Sequence, residues 1–140
     1  MIVLDASIIL KMIFEEQDTH LALQLRENHV TGKEKIAAPE LIFYEIANVL
    51  ATKTPLSVKS ASSALNEIFN LEIETFTLGM EEFLSSMSFS HKYKISVYDA
   101  SYMILADRLN CDFITADVIL FKKIKDLKFI RLLEDVKLPS

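Results

Sequence analysis

Four acidic side chains lie in apolar parts of the sequence, where a charged group is unusual. Asp5 follows the apolar run at positions 2–4, and Asp117 comes shortly after another apolar run that reads as a strand. Glu45 and Asp99 fall on the apolar faces of two predicted helices. Acids are seldom buried unless they are paired or bind a cation. These four residues are therefore the candidates for chemistry in this chain.

Each of the four acids also has a structural explanation when it is taken alone. Asp117, or Asp5 together with Ser7, could belong to the cap of the helix that follows. Asp99, in the first turn of its helix, would be favoured by the helix dipole. Glu45 could pair with a buried lysine or arginine. The four acids lack a joint role only if these explanations hold at all four positions at once. Two of the acids, however, follow strands and therefore fall on the same edge of a parallel sheet.

Converging carboxylates predict a cation site built from oxygen ligands. Four such groups repel one another, so some must be protonated or cations must join them. Oxygen-only ligands select Mg²⁺ or Mn²⁺ over zinc. A pair of such ions can activate a water molecule and stabilise the leaving oxygen of a phosphodiester. The sequence offers no good Ser-His-Asp or Cys-His arrangement, and its one cysteine, Cys111, cannot form a disulfide within the chain or a cysteine-based zinc site.

Composition excludes several other classes of function. With two glycines, the chain has neither a G-x-G-x-x-G dinucleotide loop nor a Walker-type phosphate loop. The net charge of -5 argues against broad electrostatic capture of nucleic acid, but it becomes -1 if the four acids are set aside as cation ligands. No apolar run approaches the roughly 18 residues of a membrane helix, and no basic segment precedes the first strand. We therefore expect a cytoplasmic protein without a membrane span.

Strands alternate with helices along the chain, which predicts an α/β fold. We expect one domain over residues 1–140, with a mostly parallel central sheet and helices on both faces, a three-layer α/β/α arrangement. Pro39 is expected in the first turn of its helix, and His20 and His29 on the surface. The predicted strands are 2–4, 35–38, 72–76, 112–115 and 128–132, followed by a polar tail, and the predicted helices are 8–14, 19–30, 39–53, 57–69, 80–93, 97–109 and 118–124.

The chain resembles PIN-domain proteins of the VapC-like toxin type over nearly its whole length. Four segments carry the resemblance, in order and at matching spacing: Val3-Leu4-Asp5-Ala6-Ser7 with Lys11, Pro39-Glu40-Leu41 leading to Glu45-Ile46-Ala47-Asn48-Val49-Leu50, Tyr98-Asp99-Ala100-Ser101-Tyr102 with Ala106, and Phe113-Ile114-Thr115-Ala116-Asp117. One departure is Lys94, because related proteins often carry glycine before the acidic helix.

The resemblance implies a single PIN-like domain that acts as a Mg²⁺- or Mn²⁺-dependent endoribonuclease. The catalytic and metal-binding acids would be Asp5, Glu45, Asp99 and Asp117, and Ser7 and Thr115 would support the acidic cluster. It also implies an RNA substrate, a homodimer and a small antitoxin protein that inhibits the nuclease. The high apolar content, 51% of the residues, and the methionines and phenylalanines on predicted helices agree with a buried subunit interface.

Other classes of protein share parts of this pattern. A dehalogenase-like phosphatase needs a second acid two residues after the first, where this chain has Ser7. A phospho-accepting receiver domain would use a strand-end aspartate and a late lysine, but it would leave Glu45 unexplained. A catalytically silent PIN module that binds RNA or protein fits the same segments. A metal titration combined with an RNA cleavage assay separates that module from the nuclease.

Overall fold

The computed structural model describes residues 1–137, which form one five-stranded sheet flanked by helices. All four strand pairs are parallel and the strand order is β3-β2-β1-β4-β5. The prediction of a mostly parallel sheet is thus confirmed, although the order of its strands could not be predicted. The strands are β1 Ile2–Leu4, β2 Ile36–Pro39, β3 Glu74–Phe76, β4 Asp112–Thr115 and β5 Ile130–Leu132.

Helices cover both faces of the sheet and complete the three layers. They are α1 Ala6–Lys11, α2 Thr19–Val30, α3 Leu41–Thr52, α4 Val58–Phe69, α5 Met80–Tyr93, α6 Val97–Leu109 and α7 Val118–Ile124, and a 3₁₀ turn, Leu133–Asp135, follows β5. Helix α6 packs on β1, β2 and β4, with α5 against it, and α1 contacts α2 and α3. Among residues 1–137, no helix combines the length and the apolar character that a membrane span requires.

The central strands are apolar because both of their faces are covered. Val3, Leu4 and Phe113 are 0% exposed, as parallel strands between two helical layers must be. The predicted polar tail begins with a buried residue, Leu133, and its last three residues, 138–140, lie outside the described part of the chain.

Pro39 does not open a helix, and that prediction is wrong. It is the last residue of β2 and pairs in register with Phe76, while α3 begins at Leu41. Proline has no N–H to donate to the ladder, which restricts it to the ends and edges of strands. The next residue replaces the missing donor, because the Glu40 N–H donates to the Phe76 carbonyl at 3.1 Å.

Histidine 29 is buried, contrary to the surface position that we predicted. His29 is 3% exposed and receives a hydrogen bond from the Ile36 N–H at its Nδ1, at 2.9 Å. Its Nε2 lies 2.6 Å from the Leu71 carbonyl oxygen. Because Nδ1 accepts a hydrogen bond, Nε2 carries the proton and donates it to Leu71. His20 is exposed, as predicted. Both partners of His29 are backbone groups, which no side-chain pattern reveals.

Candidate active site

The site is built on the adjacent carboxyl ends of β1 and β4. Leu4 pairs with Ile114, so Asp5 and Thr115 come next in register on neighbouring strands. The Thr115 hydroxyl donates to Asp5 Oδ2 and the Ser7 hydroxyl donates to Asp5 Oδ1, both at 2.5 Å. Each oxygen of this 7% exposed carboxylate is therefore held by a hydroxyl group.

Backbone N–H groups orient the two hydroxyls that hold Asp5. The Ala116 N–H donates to Ser7 Oγ at 3.1 Å, and the Asp117 N–H donates to Thr115 Oγ1 at 3.0 Å. A hydroxyl has one proton to give. Each hydroxyl already accepts a hydrogen bond from a backbone N–H, and its proton is directed to Asp5. The network therefore favours, at position 5, a carboxylate that accepts hydrogen bonds.

Of the two acids with a capping explanation, Asp5 and Asp117, only Asp117 caps its helix, whereas Asp99 lies in the first turn of α6, where the helix dipole favours a carboxylate. Asp5 occupies the N-cap position of α1, but its side chain makes no capping hydrogen bond. Ser96, and not Asp99, caps α6 by accepting from the Asp99 N–H at 3.0 Å. Asp117 does cap α7, because its Oδ1 accepts from the Leu120 N–H at 3.0 Å. Asp117 is also exposed, so it is the least buried of the four acids.

Glu45 pairs with a phenol instead of the lysine or arginine that a structural role would require. The Tyr102 hydroxyl donates to Glu45 Oε1 at 2.5 Å. Asp5, Glu45, Asp99 and Asp117 take part in no ion pair within residues 1–137. No salt bridge within the described part of the chain therefore neutralises any of the four carboxylates.

Burial and mutual repulsion raise the pKa values of three of these acids. Burial raises the pKa of Asp5 from 3.8 to about 6, against the opposing hydrogen bonds from Ser7 and Thr115, and the charge of Asp99 adds to the rise. Burial likewise raises the pKa of Glu45; the Tyr102 hydrogen bond opposes the rise and the charge of Asp99 adds to it.

Asp99 connects the electrostatics of the cluster. Its own pKa is raised, first by burial and then by the charge of Asp117, while the Ser96 hydrogen bond and the charge of Lys123 oppose the rise. Since Asp99 also raises the pKa values of Asp5 and Glu45, it lies within electrostatic range of each of the other three acids. Tyr102, buried among them, has a pKa above its ordinary range because of burial and the neighbouring negative charges.

The donor chemistry of the cluster fits a hard divalent cation. Its donor atoms are all carboxylate oxygens, which suit Mg²⁺ and Mn²⁺, and no ion pair within residues 1–137 neutralises them. Yet no three acidic, histidine or cysteine side chains of residues 1–137 stand close enough together to enclose an ion. The fold therefore brings the acids into electrostatic range without forming a closed ligand set.

Lys94 adopts the backbone conformation that explains why relatives often use glycine here. It ends α5 with φ 55° and ψ 47°, in the left-handed region, which glycine occupies at the lowest cost. Its carbonyl accepts a hydrogen bond from Lys123 Nζ at 3.1 Å, which connects α7 to the turn before α6. The turn thus keeps its shape with lysine in place of glycine.

A comparison with known protein families identifies the fold. The PIN domain family model matches residues 2–127, nearly the whole chain. The chain belongs to the PIN-domain family. No curated protein is similar enough in sequence to count as a match.

Solved structures with the same fold include toxin–antitoxin proteins. A toxin–antitoxin complex from Klebsiella pneumoniae has a TM-score of 0.71 at 12% identity, covering 97% of this chain and 100% of the other. VapBC2 from Rickettsia felis, bound to a DNA fragment from its promoter, has a TM-score of 0.68 at 18% identity, and the alignment covers 94% of this chain and 98% of the other. VapBC-1 from nontypeable Haemophilus influenzae has a TM-score of 0.67 at 17% identity, and the alignment covers 96% of this chain and 100% of the other. At these identities the likeness shows the PIN fold alone.

Sequence analysis did not identify Tyr102 as a site residue. Its helical spacing places it one turn after Asp99, and we interpreted it as part of the inward face of that helix. Its partner, Glu45, lies 57 positions away on another helix. The available signal was a phenol beside an acid on one helix face, but only the packing of α6 and α3 in the PIN fold identifies what the phenol contacts.

Proposed function

We propose that this PIN-domain protein is a metal-dependent endoribonuclease and the toxin of a toxin–antitoxin pair. The observation that carries the proposal is the buried carboxylate of Asp5, held through both oxygens by Ser7 and Thr115 at the carboxyl ends of two parallel strands. A buried carboxylate fixed in this way, within range of the charge of Asp99 and without an ion-pair partner among residues 1–137, is costly for the fold and useful to a cation.

The residues of the site have separate tasks in this mechanism. Asp5, Glu45, Asp99 and Asp117 would hold Mg²⁺ or Mn²⁺, and the bound ion supplies a water of lowered pKa and stabilises charge on the phosphodiester oxygens. Ser7 and Thr115 keep both Asp5 oxygens in a fixed orientation. Because the pKa of Asp5 is about 6, most of the group is ionised at pH 7 and can serve as a ligand there.

The surface beside the acids supports a single-stranded nucleic acid substrate. Tyr44 and Tyr98, which are 81% and 66% exposed, line a cleft of about 300 Å³ and are adjacent in the chain to Glu45 and Asp99. Exposed aromatic rings stack on unpaired bases. The charge of Lys123 also acts on the Asp99 carboxylate and would attract a phosphate. We infer that RNA lies across this surface.

The toxin role and the antitoxin partner are supported by the structural neighbours. One of them is a toxin–antitoxin complex and two are VapBC proteins, and the alignments cover nearly the whole of each chain. The cytoplasm, where RNA and a newly made antitoxin meet, is the location that this proposal requires. A short reading frame beside the gene, encoding a DNA-binding protein that copurifies with this chain and blocks cleavage, would support it.

We also propose that the protein is a homodimer. Met80, Leu84 and Met87 of α5 are 75%, 58% and 59% exposed and lie on one face of the helix at spacings of four and three residues. Such an apolar face is typical of a subunit interface. Light scattering should report a dimer at micromolar concentration, whereas a monomer there would contradict this part of the proposal.

RNA cleavage by matched variants of α6 tests the nuclease assignment. Asp99→Asn removes one carboxylate with little change of shape, and cleavage in Mg²⁺ or Mn²⁺ should fall by orders of magnitude, because a metal ligand is lost. Asp107→Asn, an exposed position on the same helix, should cleave like the wild type, and EDTA should stop both active proteins. Unchanged cleavage by Asp99→Asn would refute the assignment of this site.

A second function, a silent PIN module that binds RNA or protein, is favoured by one observation. No three potential ligands within residues 1–137 enclose a cation. In that case Mn²⁺ should neither bind with useful affinity nor promote cleavage. Binding of Mn²⁺ at about 100 times its Kd should instead raise the unfolding free energy by about 2.7 kcal/mol if the site is functional.

A further inference from the structure

Tyr102 is a buried tyrosine whose hydroxyl points away from the apolar core and into the acid cluster. It is 1% exposed, and its ring stacks on Phe113 of β4 with centroids 5.8 Å apart and an angle of 15° between the planes. Its hydroxyl donates to Glu45 Oε1 at 2.5 Å. The ring is thus fixed by the sheet, and the hydroxyl acts on a residue of α3.

Glu45 needs such support more than Asp5 and Asp117 do. Its side chain has three rotatable bonds, it is only half-buried, and it faces the charge of Asp99 on α6. Asp5 is held by two hydroxyls and Asp117 by a backbone N–H of its own helix. Without a partner, repulsion from Asp99 and the gain in side-chain entropy would both favour a Glu45 carboxylate turned toward water.

One helix therefore supplies both the repelling charge and the group that opposes its effect. Asp99 and Tyr102 are separated by three positions on α6, so they lie on the same face of that helix. The phenol donates its hydrogen bond to Oε1 of Glu45, so Oε2 is the oxygen available to bind a cation. The hydrogen bond fixes the direction of the carboxylate, and it does so without adding a positive charge that would compete with a cation.

We propose that Tyr102 is a positioning residue, which holds the Glu45 carboxylate beside Asp99 so that both carboxylates can bind the same cation. This inference rests on the proposed metal-dependent function and adds a residue to it. Tyr102 itself touches neither the substrate nor the ion in this role, and it acts through Glu45. Groups that orient metal ligands in this way typically change metal affinity or activity by about 10- to 100-fold when they are removed.

The variant Tyr102→Phe separates this role from a packing role, because it keeps the ring that stacks on Phe113 and removes only the hydroxyl. Mn²⁺ affinity is measured by calorimetry, and kcat and KM are measured for RNA cleavage. We expect the Kd for Mn²⁺ to rise by about 10- to 100-fold and kcat to fall by a similar factor, with KM for RNA little changed. Tyr93→Phe is the control, since its ring packs on Phe89 of the same helix, 5.7 Å away, outside the acid cluster.

A double-variant cycle tests whether the phenol acts through Glu45. Glu45→Gln alone should weaken Mn²⁺ binding, and adding Tyr102→Phe should then cause little further loss, because the carboxylate that the phenol holds is already gone. An equal loss in both backgrounds would overturn the proposal. So would a Tyr102→Phe protein with a lower unfolding temperature but the Mn²⁺ affinity of the wild type, which would show a structural role only.

The same measurements distinguish failure of this inference from failure of the proposed function. If the wild type binds Mn²⁺ and cleaves RNA while Tyr102→Phe behaves like Tyr93→Phe, the positioning role is refuted and the nuclease stands. If the wild type neither binds Mn²⁺ nor cleaves RNA, the metal-dependent function is refuted, and the role of Tyr102 is refuted with it.

Discussion

The pH dependence of the metal-free protein offers a direct test of the strain at Asp5. Burial raises the pKa of this group from 3.8 to about 6. The native state therefore holds a proton between these values that the unfolded chain has already released. The resulting contribution to stability is fully present below about pH 4, where both states are protonated, and it is lost as the pH rises through 6. Unfolding should thus cost more free energy at acidic pH than at neutral pH.

The size of this effect follows from the two pKa values. The pKa difference is about 2 units, and each unit corresponds to about 1.4 kcal/mol, so Asp5 alone should change the unfolding free energy by about 2–3 kcal/mol between pH 4 and pH 7. The raised pKa values of Glu45 and Asp99 act in the same direction. Both side chains are partly exposed, so solvent screening makes their contributions smaller.

Urea unfolding in EDTA, measured from pH 4 to pH 7.5 on the wild type and on Asp5→Asn, isolates the contribution of this group. The difference in unfolding free energy between the two proteins should shift in favour of the variant by about 2–3 kcal/mol as the pH rises. Asp107→Asn, exposed on α6, should keep the pH dependence of the wild type. A difference between Asp5→Asn and the wild type that does not change with pH would refute the reasoning, because the pKa of Asp5 would then be the same in the native and unfolded states.

Three further substitutions test the packing and the backbone conformation of the fold. His29→Ala should lower the unfolding free energy by about 2–4 kcal/mol in urea, because two buried backbone groups lose their partner, whereas the exposed His20→Ala should change it by less than about 0.5 kcal/mol; equal effects would refute the buried role. Ser86→Ala should leave stability unchanged or raise it by up to about 1 kcal/mol, since its fully buried hydroxyl has no partner within residues 1–137; a clear loss would show a missed hydrogen bond. Lys94→Gly should raise the midpoint of thermal unfolding by relieving about 1 kcal/mol of left-handed strain, and a lower midpoint would contradict the conformation found there.

Features set by residues close in sequence were predicted well. Ser57 and Ser96 have the residue type and the position of helix N-caps, and each accepts a hydrogen bond from the N–H three residues later. Such caps depend on a side chain and a backbone group within one turn, so the sequence alone determines them. Pro39 shows the limit: its preference for a helix start is real, but pairing between β2 and β3 overrides it.

The candidate site was predicted as a set of residues but not as an arrangement. Apolar surroundings identified Asp5, Glu45 and Asp99, and the rule that parallel strands end at one edge placed Asp117 near Asp5. Contacts between distant segments were beyond that reasoning. The partner of Glu45 could not be predicted, because a phenol on an apolar helix face is read as core unless the opposite helix is known.

The cost of the acid cluster is itself an argument for its function. A fold selected for stability alone would place a lysine or an arginine beside Glu45, or an apolar residue in place of Asp5, and would gain stability by doing so. Instead, two hydroxyls and a buried phenol orient carboxylates that repel one another. Hydrogen bonds of this kind lower the penalty of burial without cancelling the negative charge, as the pKa of about 6 at Asp5 shows. A cluster that is oriented but not neutralised is stabilised by whatever brings positive charge to it, and among common ligands a divalent cation does so with the least demand for space.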